Sequence, residues 1–314
     1  MHEPTHKDIL QSASRIFNHI HKTPILTSRL INKICGANLF FKCENLQKVG
    51  AFKFRGASNA VLTLDKNYRA NGVATHSSGN HAAALALSAK NNGIKSFIVM
   101  PSNAPIQKKN AVQEYGAKII YCKPTLEARE STLEKVVEET GAVFIHPYNN
   151  HIVIAGQATC AMEIFNDISN LDYLIAPVGG GGLLSGTCLS AKYISPSTKV
   201  IGAEPEGADD AYRSIRDGKI YPSVEPKTIC DGLRTSLGVK TFSILNKYVY
   251  EIITVPDKAT INAMRLIWER MKIIVEPSSA IVLAAVIQNK SKFANKKVGL
   301  ILSGGNVDLN NLPF

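Results

Sequence analysis

One pattern limits what this chain can fold into more than any other. Short runs of mostly apolar residues alternate with segments of helical length. The runs are ANLFFKCENL (37–46), GVATHS (72–77), SFIVMP (96–101), KIIYC (118–122), AVFIHP (142–147), DYLIAPV (172–178), KVIGAE (199–204) and KVGLILS (297–303). Between or around them lie THKDILQSASRIFNHI (5–20), HAAALALSAKNNG (81–93), PIQKKNAVQEYGA (105–117), TLEARESTLEKVVEETG (125–141), IVIAGQATCAMEIFNDI (152–168), LLSGTCLSAKYI (183–194) and helical stretches at 259–272 and 278–288. Strands that are apolar throughout are buried on both faces, and helices between them make the sheet parallel and covered on both sides. The pattern predicts an α/β protein. Residues 205–258, rich in Pro, Gly and charge, are the least regular part, and neither an internal repeat nor a low-complexity segment is visible.

The chain has 314 residues, enough for two domains. No apolar run reaches the ~20 residues that cross a bilayer, and MHEPTHKDILQSASRIF has no apolar signal core, so no membrane association and a cytoplasmic location are expected. The six cysteines are scattered without a C-x-x-C pair, which predicts reduced thiols rather than a disulfide scaffold or zinc knuckle. The net charge is +11, but the basic residues are dispersed and not interleaved with aromatics. That argues against nucleic acid as a partner and suits a solvated basic surface that favours anionic ligands.

Three small, glycine-containing turns stand at strand ends. VGGGGLLSG (178–186) joins a strand to a helix, and four consecutive glycines there suit main-chain N–H groups converging on an anion. Its spacing is neither a dinucleotide fingerprint nor a Walker loop. THSSGNHAA (75–83) also leads from a strand into a helix and is richer in small polar groups than an N-cap requires. LSGGN (302–306) follows the last strand. Ligands of parallel sheets bind outside the carboxyl ends of the strands, so the three turns point to one cleft. In VGAFKFRGASNAV (49–61), Lys53 stands between Phe52 and Phe54. By itself it reads as a lysine whose stem covers apolar surface. Beside a phosphate cradle and a carboxylate cradle, it reads as the amine of a pyridoxal phosphate site.

GAFKFRGA, SSGNHAA, VGGGGLLSG, GAEPEGADDAY, VEPSSA and LSGGNVDL occur in the order found in the serine racemase and serine/threonine dehydratase family. The chain resembles that family from about residue 5 to its end. The resemblance implies a fold-type II pyridoxal 5'-phosphate enzyme, similar to the tryptophan synthase β fold. It has two open, twisted, mainly parallel sheets covered by helices. Residues 1–47 and 148–314 would form the large domain, and 48–147 a small mobile domain bearing the Schiff-base lysine and the substrate carboxylate loop.

By this resemblance Lys53 binds the cofactor and serves as general base and acid. Phe52 packs near the ring, and Asn80 bonds its phenolic oxygen. Gly179, Gly180, Gly181, Gly182 and the N–H of Leu183 hold the phosphate. Ser303 faces the pyridine nitrogen; a neutral partner weakens the electron sink and favours β-elimination. The turn of Ser77, Ser78, Gly79, Asn80 and His81 holds the substrate carboxylate. Racemases carry a serine at the position of Ser78, where many dehydratases have alanine, so its hydroxyl is the candidate second acid for racemisation. Tyr148 departs from the racemase pattern, which has asparagine there. Arg234 in DGLRTSLG is a cation for either a second substrate carboxylate, as in 3-hydroxyaspartate, or only a surface acid. The Glu204 and Asp210 carboxylates and the Ala208 carbonyl would bind Mg2+, Mn2+ or Ca2+, all of which prefer hard oxygen ligands.

The activity implied is elimination from L-serine, L-threonine or a related 3-hydroxy amino acid to a 2-oxo acid and ammonia, with serine racemisation beside it. Dedicated racemisation and 3-hydroxyaspartate dehydration are alternatives, and a β-replacement synthase is more distant. The resemblance also implies a homodimer and leaves room for a nucleotide effector. Because the chain ends soon after LSGGN, the regulatory domain of biosynthetic threonine deaminases is not expected.

Overall fold

The computed structural model describes residues 2–77, 79–104 and 106–314. Among these are ten strands: β1 (Ile25–Leu26), β2 (Asn38–Cys43), β3 (Val73–His76), β4 (Ser96–Pro101), β5 (Lys118–Cys122), β6 (Val143–Phe144), β7 (Tyr173–Pro177), β8 (Lys199–Pro205), β9 (Glu251–Val255) and β10 (Lys297–Leu302). They form two sheets. The larger has the order β1-β2-β10-β7-β8-β9 and is parallel except for the edge pair β1–β2. The smaller has the order β5-β4-β3-β6 and is parallel throughout.

Successive side chains of a strand face opposite ways, and here each face meets its own core. Ile175, Ile201, Leu300 and Leu302 pack with the helix Pro277–Gln288, whose residues 278–286 are all buried. Their neighbours Leu174, Ala176, Val200 and Ile301 join the core of the helices His151–Asp167 and Gly182–Ile194 on the other face. This two-sided burial explains why the strands lack polar alternation.

The strand orders also locate the site. In the larger sheet β8 and β9 continue to one side of β7, while β10 lies on the other. In the smaller sheet β4 and β5 continue to one side of β3, while β6 lies on the other. Crevices therefore open at the carboxyl ends of β7/β10 and of β3/β6, where connections diverge and leave room for a ligand. The turns at 178–182 and 303–306, and residues 76–77 and 79–80, all stand there.

Three segments depart from the expectation. Residues 205–258 are more regular than their composition suggests, with helices Asp210–Asp217 and Val239–Tyr248 and strand β9. These elements are too short for a periodicity argument. AVFIHP pairs only over Val143–Phe144, since the chain then turns into the site toward Pro147. The stretch around Lys53 is a ten-residue helix, Lys53–Leu62. It is buried because two glycines let backbones touch. A Cβ on Gly156 would lie 2.7 Å from the Gly56 Cα and 2.9 Å from the Arg55 carbonyl.

A buried charge cluster pins this helix. Arg55 donates from Nε and Nη2 to Glu44 at 2.7 and 2.8 Å, and from Nη1 and Nη2 to Glu163 at 2.6 and 2.9 Å. Lys42 donates to Glu163 at 2.6 Å and to the Thr23 carbonyl at 2.7 Å. Lys42, Glu44 and Arg55 are fully buried, and two cations face two anions. Burial pushes the Glu44 pKa up, but Arg55 and Lys42 outweigh it and hold the group below its ordinary value.

Candidate active site

Lys53 opens its helix directly after the segment stitched to the β10 turn. The Phe52 N–H donates to the Ser303 carbonyl at 3.0 Å, Gly305 N–H to the Gly50 carbonyl at 2.9 Å, and Ala51 bridges Gly304. These bonds fix the lysine at the carboxyl end of β10. Its Nζ lies 3.1 Å from the Pro147 carbonyl and 5.1 Å from the Phe52 ring centre. The residue keeps some exposed surface, yet its amine sits deep among protein atoms. That burial lowers its pKa to about 8, against the opposing charge of Glu276. Phe54 does not share this role. It packs with Ala57 and Ala84 in a separate core, because consecutive helix residues point about 100° apart. The amine thus meets one ring, not two.

The glycine run is dictated by close packing. A Cβ on Gly180 would meet the Tyr148 ring at 2.3 Å, and Gly181 has φ +84°. The Thr241 hydroxyl donates to the Gly180 carbonyl at 2.9 Å. The first turn of the following helix closes with Ser185 N–H to the Gly181 carbonyl, so the N–H groups of residues 182–184 precede the ladder and face the helix end. Such an end attracts an anion.

On the other side of the cleft, Ser77 N–H donates to the Val99 carbonyl at 3.1 Å, and Gly79 opens the helix Asn80–Asn91. His81 is buried, with Nε2 3.2 Å from the Ile145 carbonyl. Since that carbonyl only accepts, Nε2 carries the proton. Burial and nearby Lys53 hold this imidazole neutral, far below its ordinary pKa. Ser78 lies outside the described residues. Ser303 is buried at the end of β10, its Oγ 3.5 Å from the Ser278 carbonyl.

Of the groups around this cleft, Glu276 and Lys108 were not singled out from the sequence, and Tyr148 was noted only as a departure from a pattern. Glu276, the acid of VEPSSA, is buried and accepts from Asn80 Nδ2 at 3.0 and 3.2 Å. Tyr148 covers the glycine run, 4.6 Å from His146, whose Nδ1 accepts the Asn149 N–H at 3.0 Å. Burial lowers the His146 pKa to about 4, so it stays neutral. Lys108 pairs with Asp231 across the cleft, and its Nζ is 4.0 Å from where a Gly79 Cβ would stand. Arg234, in contrast, is exposed and its Nε donates to the Thr228 carbonyl at 3.1 Å.

Glu204 is the penultimate residue of β8, and Ala208 and Asp210 follow in the turn and the helix Asp210–Asp217 after it. Glu204 accepts the Ala211 and Tyr212 N–H groups at 2.8 and 2.7 Å. Asp210 is buried with neither carboxylate oxygen hydrogen-bonded among the described residues. Burial raises its pKa to about 6, and the nearby Ser223 hydroxyl, off bonding geometry, offsets part of the rise. Burial, then repulsion from Asp210 and Asp209, raises Glu204 as well. No group of three or more His, Cys, Asp or Glu that could hold a metal ion occurs among the described residues, and this site offers the two carboxylates of Glu204 and Asp210.

Comparison with known proteins accords with this arrangement. The family described as "Pyridoxal-phosphate dependent enzyme" matches residues 16–304. The chain is 51% identical over 314 residues to a beta-hydroxyaspartate dehydratase from Paracoccus denitrificans, covering 100% of both. It is 47% identical to an L-threo-3-hydroxyaspartate ammonia-lyase from Saccharomyces cerevisiae, over 98% of this chain and 94% of that one. The crystal structure of serine racemase from Dictyostelium discoideum superposes with a TM-score of 0.93 at 51% identity, covering 97% and 99% of the two chains. With a family match across residues 16–304 and the two-sheet frame superposing on a relative of 51% identity, the chain belongs to the pyridoxal-phosphate-dependent enzymes of fold-type II.

Proposed function

We propose that this protein is a dehydratase of 3-hydroxy amino acids that releases a 2-oxo acid and ammonia, with racemisation of the same substrates beside it. The observation that carries the reading is Lys53: an amine of lowered pKa held where an anion cradle from one sheet faces a small polar helix entrance from the other. The residues fit pyridoxal phosphate. No side chain but hydrogen fits at Gly180 beneath Tyr148, and the N–H groups of Gly182 and Leu183 open toward the cradle. Gly179 to Leu183 would hold the phosphate, Phe52 and Asn80 would flank the ring, and Ser303 would face its nitrogen. When bound, the cofactor supplies the sink for the electron pair left at the substrate Cα.

The chain's own residues do the rest. Lys53 Nζ takes the α-proton, which its depressed pKa permits near neutral pH. The helix entrance at Ser77–His81 holds the substrate carboxylate through its N–H groups. Tyr148 keeps water from the phosphate cradle. Ser78 is the proposed second acid for racemisation. The small domain of residues 48–147 would close over the substrate, with Lys108 and Asp231 meeting at the rim.

A 3-hydroxyaspartate substrate is favoured over serine by one observation. Lys108, not Arg234, stands beside the carboxylate loop, where a second carboxylate would compete with Asp231 for it. Comparing kcat/KM for L-serine, L-threonine and the 3-hydroxyaspartates, with 2-oxo acid and D-amino acid both measured, tests the whole reading. Absence of 2-oxo acid from every substrate overturns it.

A divalent cation is part of the proposal. The unpaired Asp210 oxygens and the adjacent Glu204 suit Mg2+, Mn2+ or Ca2+. Chelation is expected to lower the melting temperature by several degrees, because a ligand bound only to the folded state stabilises it. Asp210→Asn should abolish that difference. An unchanged melting temperature on chelation removes the cation from the proposal.

A further inference from the structure

Glu276 is the acidic group whose charge acts on Lys53. It precedes the helix Pro277–Gln288, and its main-chain N–H donates to the Gly304 carbonyl at 3.0 Å. Its carboxylate lies against the Gly304 backbone, 2.8 Å from where a Cβ would stand. It accepts from Asn80 Nδ2 on both oxygens and from the Asn306 N–H at 3.1 Å. Asn306 Nδ2 in turn donates to Asn80 Oδ1 at 2.9 Å. No cation forms a salt bridge with Glu276 among the described residues.

An ionised carboxylate accepts and never donates. The Asn80 amide must therefore turn its nitrogen toward Glu276, and a flipped amide would set two oxygens together. One Asn80 N–H is used on Glu276 and the amide oxygen is used on Asn306. One N–H remains, in a fixed direction.

We propose that Glu276 is the positioning residue of the active site: it fixes Asn80 as a hydrogen-bond donor toward the bound cofactor and keeps a negative charge facing Lys53. This rests on the reading that the cofactor is held by Lys53. Burial, then the charge of Asp231, raises the Glu276 pKa to about 7, so the carboxylate is ionised above that pH; Lys108 opposes the rise. The Asn80 bond and the Asn306 N–H also favour the ionised form.

The test uses the holoenzyme and two readouts: the dissociation constant for pyridoxal phosphate, and the pH midpoint of the visible cofactor band. Glu276→Gln keeps the shape but removes the charge and lets either amide face the other. It should weaken cofactor binding about tenfold, as loss of one well-placed hydrogen bond does. The pH midpoint should fall by about one unit, as loss of a nearby opposite charge does. Asn306→Ala should weaken binding with the midpoint unmoved, and Glu276→Asp should retain most of the midpoint. Unchanged affinity and midpoint in Glu276→Gln overturn the proposal. If that variant does not fold, unchanged affinity in Asn306→Ala overturns it. A wild-type protein with no visible band on adding cofactor would instead refute the Lys53 reading.

Discussion

A Lys53→Ala protein is expected to fold, to show no visible cofactor band, and to lose at least ~10³-fold in 2-oxo acid formation, the scale of a missing acid–base group. The fold should survive because the Lys53 amine makes one hydrogen bond, to the Pro147 carbonyl, and no salt bridge. Lys53→Arg keeps a cation but cannot form the covalent link, so it should fail equally. The pH dependence follows from the amine's pKa of about 8, depressed by burial from 10.5. Only the neutral amine captures the cofactor, and its fraction grows as the proton is lost. The rate of band formation in cofactor-free protein should therefore rise with pH, levelling off above about 8. A Lys53→Ala protein that retains the band, or a capture rate that is flat from pH 6 to roughly 9, contradicts the assignment.

The second large effect is structural. Arg55→Met is expected to destabilise the protein by about 3–5 kcal/mol, because the fully buried Glu44 then loses its guanidinium and the half-buried Glu163 keeps only Lys42. Typical stabilities are about 5–15 kcal/mol, so much of the protein's margin would vanish. Denaturant unfolding of cofactor-free protein measures this. Adding Glu44→Gln and Glu163→Gln to Arg55→Met should recover part of the loss, since the uncompensated charge and not the missing packing carries the cost. Loss below about 1 kcal/mol would place Arg55 with ordinary exposed ion pairs. Arg55 lies on the helix that Lys53 opens, so partial unfolding there should also weaken cofactor binding.

Arg55 shows why local reading of FKFRGASNAV stops short. A guanidinium two residues from Lys53 gives no local signal of burial. Its partners Glu44 and Glu163 lie 11 and 108 positions away. The same holds for Glu276, which reaches Asn80 across 196 positions. The glycine run was legible because its chemistry is contiguous. What was not legible is why Gly180 must be glycine, since Tyr148 approaches from a different loop. Arg234, read as a cation for a second substrate carboxylate or a surface acid, donates to the Thr228 carbonyl, and Lys108, which the sequence did not single out, stands 4.0 Å from where a Gly79 Cβ would lie.

By itself the sequence determined the fold class and the contiguous signals: parallel strands buried on both faces, and small glycine-containing turns at their ends beside Lys53. Strand periodicity and turn chemistry are written in neighbouring residues, so they survive without coordinates. The tertiary structure decided which groups hold those sites in place. It sets Phe52 alone against the amine, Tyr148 over the cradle, Glu276 behind Asn80, and the Arg55 cluster beneath the Lys53 helix. Each is a contact between distant segments. Its free energy depends on burial and on the direction of a few hydrogen bonds, which only the packed chain defines.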